Sequence, residues 1–217
     1  MISFELRFHP NETHFPSPVL PSPVLAPLIP FSSPFYVYKG TTTHLGKTYT
    51  YHMYRWYYTE NPGIGCCFCC STTPSCGYHV HDFEGVTVLF DDTNNTPSLV
   101  YFHAHGGGQG MWKTWDECEK TEHGVYGRLV VYVARYSHAS YPFAGTVWRI
   151  MGFGNDHTSK NGKSIAYENP VEWKNEVIPL SDGTIKNVTL KKALPSKSIT
   201  PSLRFWLPFT ETKIRAL

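Results

Sequence analysis

The chain has 217 residues, and its 19 Lys and Arg against 17 Asp and Glu leave a formal net charge of +2 with His neutral. This length fits one domain with or without tails, and so small a charge gives no general attraction for the phosphates of nucleic acid. Charged residues are only 17% and aromatic residues 15%, with 17 Gly and 17 Pro. This composition argues against a helical bundle, a coiled coil or a disordered chain, and it favours a β-rich fold with many turns.

The first residues of the chain, MISFELRF, lack the basic and then apolar pattern of a secretory signal. No run of about 18 apolar residues occurs, so no helix is expected to span a membrane. We therefore expect a protein that is made in the cytosol and stays there or is carried elsewhere, for example into a virion.

A proline-rich stretch follows at residues 10–34, with eight prolines and the tandem PSPVLPSPVL. Proline fixes φ and removes a hydrogen-bond donor, which favours an extended, polyproline-like conformation over a helix or a central strand. The stretch is also apolar, whereas solvated linkers are usually polar. We predict an extended arm over residues 1–34 that lies along its own domain or binds other protein subunits.

Residues 35–190 alternate between short runs rich in β-branched and aromatic residues and clusters of turn formers. The predicted strands are 48–58, 86–90, 99–105, 129–134, 147–150, 188–190 and 203–207. One short helix is predicted at 111–120, where Trp112, Trp115 and Glu119 have roughly helical spacing. Many strands with little helix predict an all-β fold, a β-sandwich over 35–190, followed by a C-terminal strand and extended tail over 191–217.

Five of the six cysteines lie close together and include two overlapping C-x-x-C pairs. These residues are Cys66, Cys67, Cys69, Cys70 and Cys76. Reduced cytosolic thiols favour zinc over disulfides, but no second C-x-x-C pair follows at the spacing of a zinc finger. A zinc site, a local disulfide and unreactive thiols all remain open.

The segment that carries the most chemistry is YHVHDFEGVTVLF at 78–90, in which His79, His81, Asp82 and Glu84 come directly before an apolar run. The two-residue period of a strand puts Asp82 and Glu84 on one face. Two neighbouring carboxylates repel each other unless a proton or a cation lies between them. Oxygen ligands with one imidazole suit Ca²⁺ or Mg²⁺ better than structural Zn²⁺.

An alternative needs no metal: the two carboxylates can pair with Arg55 or Arg135, and Arg135 and His138 can join them in a buried polar network. Farther along, His105 precedes a glycine run that would let a ligand approach the backbone. This run lacks the spacing of nucleotide-binding loops, and no serine nucleophile elbow occurs. We therefore expect no enzymatic activity.

These segments resemble the necrosis-inducing, or necrosis- and ethylene-inducing-like, proteins. HVHDFEGVTVLF at 79–90 is similar to the GHRHDWE signature and following strand of that family. YHMYRWYYTENP at 51–62 and LVYFHAHGGG at 99–108 are similar to its flanking segments. VVYVARYSHASYP at 130–142 resembles a stretch of a related group of vacuolar-sorting-type proteins, and the resemblance covers about residues 49–160.

The resemblance implies a β-sandwich with a divalent ion in a shallow surface pocket. Carried over by position, it implies His79, Asp82 and Glu84 as ligands, with Asn61 in place of an Asp of the family. An Asn carbonyl oxygen can bind Ca²⁺ or Mg²⁺ but brings no charge, so the affinity should be lower. The resemblance also implies that His105 lines the pocket and that His81 belongs to the signature without binding the ion. With them, Arg135 and His138 complete the candidate pocket-lining residues.

Two functions follow from these observations. The first is a structural or interaction protein on a necrosis-inducing-like sandwich, a component of a large assembly such as a minor capsid protein of a large DNA virus. This reading depends on the apolar arm and the absent signal. The second is a divalent-ion-dependent, cytolysin-like module that binds a glycan or lipid head group, which depends on the residues around Asp82.

Overall fold

The computed structural model describes residues 1–17, 34–44, 47–63, 78–93, 95–105, 109–148, 155–172, 177–179 and 185–187. The strands are β1 (Ser3–Arg7), β2 (Phe35–His44), β3 (Lys47–Asn61), β4 (His79–Asp91), β5 (Thr96–Phe102), β6 (Met111–Thr114), β7 (Lys120–Thr121), β8 (Arg128–Val133), β9 (Ser140–Tyr141), β10 (Gly145–Val147), β11 (Asp156–Thr158), β12 (Ser164–Tyr167), β13 (Val171–Glu172), β14 (Val177–Pro179) and β15 (Ile185–Asn187). None of the described residues is helical, and among them no helix is long and apolar enough to cross a membrane.

One layer is a six-stranded sheet in the order β13-β2-β3-β4-β5-β6. Its centre is the long antiparallel pair of β3 and β4, whose Tyr, Thr and Val content favours strands. The register sets Trp56 opposite Glu84 and Tyr58 opposite Asp82. Because directly opposite residues share a face of the sheet, both carboxylates lie on the face that carries Trp56 and Tyr58.

The other layer has five strands in the order β12-β1-β8-β7, with β9 paired to the edge of β8. β1 is parallel to β8 and antiparallel to β12. It falls inside residues 1–34, which the sequence assigns to the extended arm, and the structure corrects that boundary. The alternation of Phe4, Leu6 and Phe8 with polar residues makes β1 a half-buried strand, and all three side chains are fully buried.

The two sheets pack face to face around one aromatic-rich core. Phe4 of β1 contacts Trp56 and Tyr54 of β3, with ring centroids 5.3 Å and 4.6 Å apart. Leu129 and Val131 of β8 belong to the same cluster of buried side chains. This arrangement confirms the predicted all-β sandwich.

The helix predicted at 111–120 is wrong. Residues 111–114 form β6, which pairs with β5 and sets Trp112 opposite Tyr101, with ring centroids 4.9 Å apart. The chain then turns, and the Trp115 amide donates to the Ser98 carbonyl at 2.8 Å. Hydrogen bonds to a free sheet edge and aromatic contacts across it outweigh a weak local preference for helix. The strands predicted at 188–190 and 203–207 lie outside the described residues.

Candidate functional site

The candidate site lies where the paired ends of β3 and β4 meet the turn between β8 and β9. In this turn, which covers residues 134–139, Tyr136 and His138 have φ of 68° and 55°. Non-glycine residues rarely adopt these left-handed values, so surrounding contacts must hold the turn. The imidazole of His138 is one such contact, because it is fully buried and stacks on Tyr58 with ring centroids 4.0 Å apart and planes 4° apart.

Asp82 connects the turn to β4. Its Oδ2 lies 2.9 Å from Nδ1 of His138, a buried hydrogen bond. Its Oδ1 lies 3.9 Å from Nε2 of His79, whose side chain is half exposed. The predicted contact of His138 with the acidic segment is therefore present, and one carboxylate oxygen of Asp82 faces a histidine at the protein surface.

Glu84 is partly buried one strand period away from Asp82. Burial raises the pKa of Glu84 well above its usual value, the Asp82 carboxylate raises it further, and the Arg55 guanidinium opposes both effects. The sequence left open a pair with Arg55 or Arg135, and a proton or a cation between the two acids. Arg55 acts on Glu84 without offsetting the other two effects, so this end of the sandwich favours additional positive charge.

Asn61 lies directly opposite His79 in the β3–β4 register. Its Nδ2 donates to the Ser137 carbonyl at 3.2 Å, and its Oδ1 accepts from the Gly63 amide at 2.9 Å. The amide therefore ties the end of β3 to the β8–β9 turn. Its Oδ1 keeps a second lone pair, which is compatible with the ligand role implied by the resemblance.

His105 belongs to a neighbouring buried network centred on Asp156. The Asp156 carboxylate accepts from Ser137 Oγ at 2.7 Å and from the Tyr141 hydroxyl at 2.5 Å, and it lies 2.6 Å from Nε2 of His105. Burial alone would raise the pKa of Asp156, but these partners, His105 foremost, lower it below the usual value. The network braces the turn that carries His138.

The other predicted site residues lie apart from this arrangement or outside the described residues. The Arg135 guanidinium lies over the Tyr136 ring, 4.2 Å from its centroid, and its backbone amide donates to the His157 carbonyl at 2.9 Å. His81 is part of β4, but its side chain lies outside the described residues. The five cysteines of 66–76 also lie outside them.

A second group of ligands surrounds His138 from the other side. One ligand atom each from Glu12, His14 and His138 lies within 4.8 Å of the other two, a set able to hold a metal ion. The distances are 4.0 Å from Glu12 Oε1 to His138 Nε2 and 3.4 Å from Glu12 Oε1 to His14 Nδ1. His14 also reaches Glu60, with its Nε2 3.1 Å from Glu60 Oε1.

Sequence reasoning identified only His138 of this group. Glu12 and His14 stand at the start of the proline-rich stretch, whose prolines and apolar residues predict an extended arm and no metal ligand. The pair Glu12-x-His14 is the only local signal, and so short a spacing is common by chance. The contact that completes the group joins the Tyr136 amide to Glu12 Oε2 at 2.9 Å, across 124 residues of sequence.

Comparison with known proteins gives distant similarities. No protein-family model matches the chain, and no curated protein matches it. The structure of NLPPya in complex with mannosamine is 14% identical, with a TM-score of 0.41, and the match covers 84% of this chain and 72% of that one. The structure of NLPPya in complex with glucosamine is 15% identical, with a TM-score of 0.39 and coverage of 79% and 69%.

A third similar structure is Necrosis and Ethylene inducing Protein 2 from the causal agent of cocoa's witches' broom disease. It is 16% identical, with a TM-score of 0.36 and coverage of 79% of this chain and 69% of that one. Structures of the necrosis-inducing group thus occur among the similar ones, whereas the resemblance to vacuolar-sorting-type proteins stays a prediction. These similarities are too distant to assign a family, so the β-sandwich rests on the two sheets described above.

Proposed function

We propose that this chain is a non-enzymatic binding module in which a divalent cation, Ca²⁺ rather than Mg²⁺, joins the acidic end of the sandwich to the oxygen atoms of a glycan or lipid head group. The observation that carries the proposal is the placement of Asp82 and Glu84 on one face, with the pKa of Glu84 well raised by burial and by Asp82. A cation beside them would relieve this repulsion.

The spacing of the ligand atoms supports Ca²⁺. Asp82 Oδ1 and His79 Nε2 are 3.9 Å apart. Two ligands about 2.4 Å from one Ca²⁺ ion, at angles of roughly 90–110°, are about 3.4–3.9 Å apart, whereas the shorter bonds of Mg²⁺ need a separation of about 3.0 Å. Asn61, directly opposite His79, supplies a neutral oxygen without adding charge.

The half-exposed His79 side chain keeps this end of the site in contact with solvent. Ca²⁺ takes six to eight oxygen ligands, more than the proposed protein residues supply, so positions remain for oxygens from outside. Hydroxyl groups of a sugar and phosphate oxygens of a lipid head group share this chemistry. In this function the ion bridges protein and ligand, and no bond of the ligand is broken.

The ion is tested by calorimetric titration of Ca²⁺ into the chelator-treated full chain. A full negative charge about 4 Å from a divalent ion contributes about 2 kcal/mol even in bulk water, so Glu84→Gln should weaken binding about 30-fold. Glu122→Gln makes the same change at an exposed glutamate and should bind as the wild type does. Equal affinity in all three proteins would refute the ion site.

The ligand is tested in two arms, each with and without Ca²⁺. Glucosamine and mannosamine, which occur in the compared complexes, are titrated into the chain, and the chain is sedimented with vesicles of phosphatidylcholine alone or mixed with phosphatidylserine. Ca²⁺-dependent binding in the first arm only indicates a glycan, and in the second only a lipid head group. Binding that Ca²⁺ does not affect would contradict the bridging role.

The assembly role of the sequence analysis stays a prediction. It depends on the proline-rich arm, and residues 18–33 of that arm lie outside the described residues. Neither the contacts of the described residues nor the comparisons support a role in a capsid.

A further inference from the structure

A group of side chains distinct from the Asp82–Glu84 pair has the composition of a transition-metal site. Glu12 and His14 follow β1, and His138 comes from the turn between β8 and β9. Their ligand atoms lie within 4.8 Å of one another. We propose that Glu12 Oε1, His14 Nδ1 and His138 Nε2 bind one Zn²⁺ ion, a site that does not depend on the proposed Ca²⁺ function.

The first argument is the state of His138. Its Nε2 is fully buried and has no hydrogen-bond partner among the residues that the structure describes, and the nearest oxygen of Glu12 is 4.0 Å away. Burying an imidazole nitrogen without a partner is unfavourable, because it loses its hydrogen bond to water and gains none in the protein. Nδ1 bonds to the Asp82 carboxylate, and in the tautomer that donates this bond the lone pair of Nε2 is on the side of Glu12 and His14.

The second argument is the set of outer partners. Zinc-bound histidines usually donate their other ring N–H to a carboxylate, which fixes the tautomer and raises ligand basicity. Both histidines have such a partner here. His138 Nδ1 lies 2.9 Å from Asp82 Oδ2, and His14 Nε2 lies 3.1 Å from Glu60 Oε1.

The third argument is the way in which Glu12 and His138 are held. The Glu12 carboxylate is buried and accepts from three backbone amides, those of Thr13 and His14 at 2.8 Å each and that of Tyr136 at 2.9 Å. The His138 ring is fixed by its stack on Tyr58. Two of the three ligands are therefore oriented before an ion binds, which reduces the entropy cost of binding.

The donor set decides the metal. Two imidazole nitrogens and one carboxylate oxygen match zinc sites that have three protein ligands and one open position, whereas Ca²⁺ and Mg²⁺ prefer oxygen ligands. Tetrahedral bonds of about 2.0–2.2 Å put ligand atoms about 3.3–3.6 Å apart. The Glu12–His14 distance of 3.4 Å already fits. The Glu12–His138 distance must shorten by a few tenths of an ångström. Glu12 Oε1, which accepts from the amides of Thr13 and His14, must exchange one of these two bonds for the ion, and His14 must exchange its 3.2 Å contact with Thr13 Oγ1.

Access to the site is through His14, whose side chain is 31% exposed while those of Glu12 and His138 are buried. His14 is therefore the ligand that can be removed with the least damage to the core. His123 is a matched control, because it is also a partly exposed histidine whose Nε2 lies 3.1 Å from a glutamate, Glu168.

The test is a titration of Zn²⁺, in competition with a chromophoric chelator, into the chelator-treated full chain. We expect one ion per chain, a loss of affinity of at least 100-fold in His14→Ala, and wild-type affinity in His123→Ala. Glu60→Gln removes only an outer partner and should weaken binding about 10–100-fold. Equal Zn²⁺ affinity in the wild type and His14→Ala would overturn the proposal.

Co²⁺ distinguishes this site from the five cysteines of 66–76. Thiolate ligands give Co²⁺ an intense charge-transfer absorption in the near ultraviolet, whereas imidazole and carboxylate ligands do not. We expect visible Co²⁺ bands without that absorption in the wild type and His123→Ala, and their loss in His14→Ala. Bands of thiolate type only, unchanged in His14→Ala, would overturn the proposal.

The Zn²⁺ and Ca²⁺ proposals can fail separately. His14→Ala should leave Ca²⁺ affinity unchanged, and Glu84→Gln should weaken Zn²⁺ binding far less than His14→Ala does. If Glu84→Gln removes Zn²⁺ binding and His14→Ala does not, the Zn²⁺ assignment is wrong and the ion uses the Asp82–Glu84 end.

Discussion

Replacing Phe4 by Ala should remove about 4–5 kcal/mol of the free energy of unfolding. The Phe4 side chain is fully buried in the middle of β1. Its ring lies 4.6 Å from Tyr54, 5.3 Å from Trp56 and 5.7 Å from Phe35, measured between centroids. Truncating a buried Phe costs about 3–5 kcal/mol of the free energy of unfolding, and each aromatic pair contributes about 0.5–1.5 kcal/mol. With three aromatic neighbours, Phe4 should be at the upper end of the range for truncation.

The assay is urea unfolding of the full chain, followed by tryptophan fluorescence and by circular dichroism. With a slope of about 2 kcal/mol per molar urea, the midpoint should fall by about 2 M. Phe143→Ala is the matched control, because Phe143 is 40% exposed and should lose less than about 1 kcal/mol. If Phe4→Ala and Phe143→Ala shift the midpoint equally, β1 is not part of the core and residues 1–34 form an arm throughout.

Three further predictions concern buried polar and backbone positions. Asp156→Ala leaves Ser137 Oγ and the Tyr141 hydroxyl without their acceptor, so it should cost about 3 kcal/mol in urea unfolding, and a loss below about 1 kcal/mol would contradict the network. Gly85→Ala would put a Cβ 1.9 Å from the Tyr54 carbonyl oxygen, so it should force β3 and β4 apart and lower the melting temperature, whereas an unchanged value would refute the close approach. Burial lowers the pKa of His52 to about 4 from a usual value near 6.5, so the folded state binds fewer protons and stability is lost as pH falls from about 6.5 to about 4. His52→Gln should make that loss shallower, measured as the free energy of unfolding against pH, and an unchanged slope would show that His52 is not the cause.

Three strands of the six-stranded sheet, β3, β4 and β5, could be predicted because their information is local, whereas β2 and β13 were not predicted and β6 was predicted as part of a helix. The β-branched and aromatic content of residues 48–58 and 86–90 specifies the strands, and the two-residue period put Asp82 and Glu84 on one face. β1 has the same alternation in Phe4 and Leu6, but it is short, and it pairs with β8 more than 120 residues away. No local pattern reveals such a partner.

Residues of the candidate site could likewise be predicted only where the sequence signal is local. Asp82 and His138 could be identified because each stands in a segment with a resemblance or with clustered chemistry. The position of His138 beside Glu12 depends on the left-handed backbone conformation of Tyr136, and the sequence Tyr-Ser-His contains no feature that predicts this conformation. Glu12 and His14 became ligands only because β1 lies beside β8 and carries the following residues to the same end of the sandwich.

Asp82 contacts both proposed ion sites. We therefore expect each ion to change the affinity of the chain for the other when both are present. Its Oδ2 bonds to His138 and its Oδ1 faces His79. Zn²⁺ bound to Nε2 of His138 would draw the charge of Asp82 toward the imidazole and away from Ca²⁺. The two nearby cations also repel each other. For both reasons, Zn²⁺ should weaken Ca²⁺ binding about fivefold or more. Because such coupling is reciprocal, Ca²⁺ should weaken Zn²⁺ binding by the same factor, and calorimetric titrations of each ion in the presence of the other measure both. His14→Ala should abolish the effect of Zn²⁺ on Ca²⁺ affinity. Equal Ca²⁺ affinity of the wild type with and without Zn²⁺, or an effect that persists in that variant, would show that Asp82 does not connect the two ions.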